Sequence, residues 1–155
     1  MNRLAATLVL LLLLPWAAMA KNRHCMFRVH AEANREDTDV FSKSVQAQLS
    51  GKEVAIERFA RITEQDVQGF YPYPLGNGQF GALFQLDDHG RVVLDALSIE
   101  RRGRFLFIFI NGRAITELQI DKRITDGQLY IASGLTAADI EAMKKDWRLI
   151  GQRRK

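Results

Sequence analysis

Ser98, Cys25, His24, His30, His89 and the pair Asp87-Asp88 are the side chains whose types invite a search for chemistry in this chain. Nucleophilic catalysis needs a nucleophile, a base and an orienting group that converge in space. Ser98 has no Gly-x-Ser-x-Gly setting and falls within a helical pattern. Cys25 is the single cysteine, so it has no internal disulfide partner, and as a nucleophile it requires a nearby base. It sits in an alternating segment in which His24 and His30 point to the opposite face. Burial as a small apolar residue is its expected role, and an exposed thiol pairing between chains is the alternative. The histidines show no His-x₃-His spacing and there is no Cys-x₂-Cys, which argues against zinc. Asp87-Asp88 has the composition of a metal-binding pair, but it stands where a turn is needed and Asp is a turn former. Gly76, Gly78 and Gly81 precede a strand and not a helix, so no helix N-terminus is offered to phosphate. No catalytic residue, metal ligand or cofactor site is expected. A small periplasmic hydrolase is the rival reading, and turnover abolished by His30→Ala or Ser98→Ala would establish it.

Binding has a better local candidate. Phe70, Tyr71, Tyr73 and Phe80 concentrate aromatics in a stretch that also holds Pro72, Pro74, Gly76, Gly78 and Asn77. Tyrosine offers a large amphipathic contact at low entropic cost. That composition predicts an irregular loop over residues 70–80, whose rings either pin it to the core or meet a protein or peptide partner. The edge of a sheet, accepting an extended peptide by strand addition, is a second route.

The two ends of the chain bear on its location. Arg3 gives a positive start, residues 8–14 an unbroken apolar core, and Ala18-Met19-Ala20 a small-x-small exit. This is the layout of a secretory signal peptide cleaved after Ala20, and it predicts a periplasmic protein. The alternative is an uncleaved anchor holding an envelope structural protein, since residues 4–20 are apolar apart from Thr7 and approach the minimum of about 17 residues for a spanning helix. Contact with the membrane is expected only in that case. Lipidation of Cys25 is not expected, because Asn22-Arg23-His24 before it are polar and bulky. The chain has 155 residues, with 22 basic and 18 acidic side chains and a formal net charge of +4. Residues 21–147 suit one domain with its own core. Residues 148–155 form a basic tail, read as a solvated end or as a contact with an anionic partner. No aromatic residue interleaves the tail's charges to stack bases, so nucleic acid is not expected.

The elements follow from periodicity. Cys25, Phe27, Val29, Ala31 and Ala33 alternate as in a half-buried strand. Residues 34–39 are a polar break, and residues 40–49 suit either a helix or an extended arm. A second strand spans residues 53–59, and Thr63 to Asp66 has the form of a helix start lasting about one turn. Residues 81–86 read as a strand, residues 87–90 as a turn, and residues 91–101 as a helix with Val93, Leu94, Leu97 and Ser98 on one face. The apolar run of residues 105–110 predicts a central strand covered on both sides. Asn111-Gly112 is a strong hairpin signal. On the return strand Ile115 is out of phase with Leu118 and Ile120, which calls for a bulge near Thr116. Asp126-Gly127 turns into a last strand, and Thr136 with Asp139 forms a capping box before a helix striped by Ile140, Met143 and Trp147. The fold class expected is α+β, a mixed and mostly antiparallel sheet with two helices packed on one face.

The segments G-R-F-L-F-I-F-I-N-G-R-A-I and I-T-D-G-Q-L-Y-I-A-S-G-L-T-A-A-D-I, spanning residues 103–140, resemble the head of the first periplasmic domain of SecD, an auxiliary membrane subunit of the bacterial protein-export translocon. Gly103, Asn111, Gly112, Gly127, Gly134, Thr136 and Asp139 occupy the places of that family's turn and cap residues. The likeness covers about the last half of the chain. SecD carries transmembrane helices, whereas nothing after Ala20 is apolar for long enough to span a bilayer. Its D-L-x-G-G type motif is absent, and Thr116-Glu117-Leu118 stands where the family often has small residues and proline. The resemblance implies a free-standing head-like module that contacts another envelope protein or an unfolded polypeptide, without an export motor.

Overall fold

Alternation of apolar residues generates strands through most of the chain. The structure, a computed structural model, describes residues 23–34 and 36–151. In chain order these form β1 (Phe27–Ala31), β2 (Ser42–Gln46), β3 (Glu53–Glu57), β4 (Ile62–Thr63), β5 (Val67–Pro74), β6 (Phe80–Leu86), α1 (Asp88–Glu100), β7 (Phe105–Ile110), β8 (Arg113–Gln119), β9 (Gln128–Leu135), α2 (Ala137–Asp146) and β10 (Arg148–Leu149). The signal-peptide reading, with Ala18 and Ala20, lies outside the described residues. No helix among the described residues is long and apolar enough to cross a membrane.

The class is α+β with mostly antiparallel pairing, and the strands are shared among two four-stranded sheets and a hairpin. One sheet has the order β4-β1-β7-β8, the other β10-β5-β6-β9, and β2-β3 stands apart. Both sheets and both helices feed one core. Phe27, Val29, Leu106, Ile108 and Ile110 from the first sheet join Phe70, Ala82, Phe84, Leu129 and Ile131 from the second, with Leu94, Leu97, Ile140, Met143 and Trp147 from the helices. Phe27, Phe70, Phe84 and Trp147 form its aromatic centre, with ring centroids 4.9–6.3 Å apart.

β7 is covered on both faces, as its composition requires. Leu106, Ile108 and Ile110 enter the main core, whereas Phe107 is buried on the other side against Ala47 and Ile56. The cover is the β2-β3 hairpin, which resolves residues 40–49 in favour of an extended arm. Glu117 on β8 holds it in place, its buried carboxylate accepting the backbone N–H groups of Gln48 and Leu49 at 2.9 and 2.7 Å. The β7-β8 turn has Asn111 at φ 49° and Gly112 at φ 79°, as a primed turn demands. The register slips between Ile108 and Phe109, leaving Ile115 as the extra residue of a bulge.

Four expectations are corrected. Thr63 and Asp66 make a turn and not a helix: the Asp66 carboxylate accepts the Thr63 N–H at 2.7 Å, and Val67 at once pairs with Leu86. α1 begins at Asp88, because Asp87 serves as its N-cap, accepting the Gly90 N–H at 2.8 Å. Residues 70–80 are not a loop: β5 runs to Pro74 and β6 resumes at Phe80. The basic tail starts later than residue 148, because Arg148 and Leu149 form β10, parallel to Gly69 and Phe70. Residues 152–155 lie outside the described residues.

Candidate binding face

β5 tolerates two prolines because of where they fall in the ladder. Phe70 directs its carbonyl away from β6, accepting the Ile150 N–H at 2.9 Å. Pro72 and Pro74 share the parity of Phe70, opposite Ala82 and Phe80 of β6, so the donors they lack belong to the open side. Pairing to β6 loses nothing, and the exposed edge is blunted against further strands.

The same alternation sorts the aromatic side chains. Phe70 faces inward and is fully buried in the aromatic core, which removes it from the candidate partner-binding residues. Phe80 is half-buried and packs against that core. Tyr71 and Tyr73 face outward. Tyr71 stands opposite Leu83 of β6, and Leu83 opposite Tyr130 of β9, so the three side chains form one row across the sheet. Tyr71 and Tyr130 are each 54% exposed. Tyr73 leans from the next row, its ring stacked on Tyr130 at 5.5 Å and 14°. Its hydroxyl donates to the Ile131 carbonyl at 2.5 Å, and its ring lies over Gly81, where a Cβ would collide with it. Burial, and then the neighbouring Tyr130 hydroxyl, holds the Tyr73 phenol above its usual range, so it stays a neutral donor. All three tyrosines of the chain therefore share one solvent-facing side of one sheet. Gln85 and Gln128, hydrogen-bonded at 3.2 Å, close one end of this face. Tyr130 escapes a search based on local aromatic density, yet the alternation Leu129-Tyr130-Ile131 marks it as outward.

The side chains considered for catalysis are held in structural roles. Ser98 is buried, donating to the Asp95 carbonyl at 2.7 Å and accepting the Ile124 N–H at 2.9 Å. Cys25 is buried as expected. Its thiol is pushed up to about 12 by that burial and then by Asp139, Asp146 and Glu64. His30 donates from Nδ1 to the Glu57 carbonyl at 2.8 Å, and burial holds its pKa below the usual histidine range. Asp66, Asp87 and His89 are the one group among the described residues whose ligand atoms approach within 4.8 Å. Their oxygens already serve backbone donors at Thr63 and Gly90, and His89 Nδ1 lies 2.7 Å from Asp66 Oδ1. This arrangement closes a turn against the start of α1.

No family model and no curated protein matches the chain. Solved structures do. One, described as a membrane component SecDF that enhances protein export, matches with a TM-score of 0.55 and 15% identity, over 86% of this chain and 70% of that one. A crystal structure of SecDF in a super-membrane-facing form matches with a TM-score of 0.53 and 16% identity, over 80% of this chain. The chain spans only 18% of the length of that second SecDF chain. At such identities the likeness is one of architecture: this chain has the fold of a SecD-like periplasmic domain.

Proposed function

We propose that this protein is an exported, non-catalytic module of the cell envelope that binds extended segments of unfolded polypeptide on the tyrosine face of β5, β6 and β9. The observation that carries this reading is the convergence of Tyr71, Tyr73 and Tyr130 around Leu83 on a solvent-facing sheet. Such rings grip apolar and polar side chains alike, so they suit a partner of variable sequence. The fold shared with a membrane component that enhances protein export supports polypeptide as the partner class and the periplasm as the place. A native N-terminus at Lys21 would establish release from the signal segment.

The test is equilibrium binding of a reduced, carboxymethylated protein labelled with a fluorophore, read by anisotropy. Saturable binding is expected. Tyr71→Ala and Tyr130→Ala should each weaken it about tenfold, in the range of a central aromatic contact. Val92→Ala, on the exposed side of α1, should leave it unchanged. Binding that ignores both tyrosines, or no binding, refutes the reading.

A further inference from the structure

The β2-β3 hairpin does not close completely over the sheet it covers. A cavity of about 450 Å³ remains between them, within the range of about 300–1,000 Å³ typical of small-molecule sites. Phe105 and Phe107 of β7 line it from the sheet, and Ala47 and Val54 line it from the hairpin. Phe107 and Ala47 are buried together, whereas Val54 and Phe105 beside them are only half-buried. Two carboxylates stand in this apolar lining. Glu117 lies opposite Phe107 in the β7-β8 pairing, is 6% exposed, and gives one oxygen to each of the Gln48 and Leu49 amides. Glu32 accepts the Phe105 N–H at 3.2 Å through Oε2, and its Oε1 has no hydrogen bond among the described residues. No ion pair among the described residues includes Glu32, Glu117 or the exposed Lys52 at the rim. Other cations nearby are directed elsewhere. Arg104 donates to the Ala33 carbonyl at 3.1 Å, and the Lys43 ammonium sits 5.3 Å from the centre of the Phe109 ring. Carboxylates set among apolar walls are ordinarily matched by a cation, and here the chain supplies none.

We propose that this cavity binds a small amphipathic amine, its apolar body laid over Phe105 and Phe107 and its ammonium held by Glu32 and Glu117. The site belongs to the β4-β1-β7-β8 sheet, whereas the tyrosine face belongs to the other, so it is independent of polypeptide binding there. Charge decides the class of ligand. Two carboxylates against one lysine leave the lining net negative, which rejects a fatty acid or any other anion of similar shape. Aromatic rings add an attraction for a cation at their faces. An uncharged apolar molecule would fill the volume but leave both carboxylates without a counter-ion.

The experiment is calorimetric titration of the full chain with three probes that share one apolar chain: n-octylammonium, n-octanol and octanoate. Saturable binding of one n-octylammonium per chain is expected. Octanol should bind about tenfold more weakly, the worth of one charge-assisted hydrogen bond, and octanoate more weakly still. Glu32→Gln keeps an acceptor for the Phe105 amide and should cost octylammonium about tenfold while leaving octanol unchanged. Lys52→Gln, an exposed change outside the core, removes a repelling charge and should tighten octylammonium about two- to threefold. Absence of saturable binding overturns the proposal, as does octanol or octanoate bound as tightly as octylammonium. So does an octylammonium affinity that either charge substitution leaves unmoved. Loss of binding with Tyr130→Ala would place the amine on the tyrosine face, and displacement by the carboxymethylated polypeptide would give the cavity to a lysine side chain. Either result overturns the assignment.

Discussion

Replacing Gly81 with alanine should reverse its effect on stability according to what occupies residue 73. A Cβ on Gly81 falls inside contact distance of the Tyr73 ring carbons and hydroxyl, so the ring must leave its place. Leaving forfeits the hydrogen bond to the Ile131 carbonyl, worth about 1 kcal/mol net. It also forfeits the stacking on Tyr130, worth about 0.5–1.5 kcal/mol. Alanine in a strand regains about 0.5–1 kcal/mol over glycine by reducing the entropy of the unfolded chain. Gly81→Ala should thus destabilise by about 0.5–2 kcal/mol when tyrosine is present. In a Tyr73→Ala background the ring is gone, and the same change should stabilise by about 0.5–1 kcal/mol. The coupling of about 1.5–2.5 kcal/mol sits within the range measured for residues in direct contact. Urea unfolding of the four proteins in the cycle provides the measurement. An equal cost for Gly81→Ala in both backgrounds would refute the packing of Tyr73 over Gly81, and with it the account of how this face is made rigid.

Two further outcomes concern the contact of Asp146 with His24 and Cys25. Burial works against ionisation of Asp146, but hydrogen bonds from the His24 ring and from the Cys25 and His24 amides outweigh it and hold its pKa below the usual carboxylate range. The unfolded chain therefore takes up the proton first as the medium is acidified. The stability contributed by Asp146 is complete above the unfolded value of about 3.9 and is lost as pH falls through the lower folded value. Asp146→Asn should cost about 1–3 kcal/mol at neutral pH and flatten the loss of stability below pH of about 4, as read from urea midpoints. An unchanged acid slope would contradict the assignment. The Cys25 thiol, at about 12, should be thiolate in about one native molecule in ten thousand at pH of about 8. Iodoacetamide should therefore label it only through unfolding, at a rate that Asp146→Asn increases, and mass spectrometry showing rapid labelling of the folded protein would refute its burial.

Local chemistry was the legible part of this fold. The Thr136–Asp139 capping box forms with both of its hydrogen bonds, since its two partners are fixed by spacing alone. Asn111-Gly112 supplies the positive φ angles that its hairpin requires, and the phase slip around Ile115 announces a bulge. Register was illegible. Whether Pro72 breaks a strand depends on which neighbour its nitrogen faces, and that is decided by the pairing of β5 with β6, made across a turn of five residues. Thr63 and Asp66 carried a helix-start pattern, yet the same two hydrogen-bonding groups close a single turn when the next residue is claimed by a sheet. The candidate face was legible by halves. Local density flagged Tyr71 and Tyr73 together with the buried Phe70, whereas Tyr130 joins them only through cross-strand pairs.

The prolines and the tyrosines of β5 bear on one question, which is how an extended partner would be held. Strand addition needs a row of free N–H and C=O groups, and its affinity comes from the backbone. Along the open side of β5, Pro72 and Pro74 remove two of the donors such a row would present, and β10 occupies the positions at Gly69 and Phe70. Contact on this part of the sheet is left to side chains. The side chains presented there are two half-exposed tyrosines about Leu83 and a third fixed by its own hydroxyl. A partner gripped by rings and not by a ladder needs neither a fixed register nor a particular sequence. Its binding should then tolerate proline in the partner segment, which strand addition would not. Comparing two labelled peptides that differ by proline at alternate positions separates the two modes, and a strong loss of affinity for the proline-containing peptide would return the choice to strand addition.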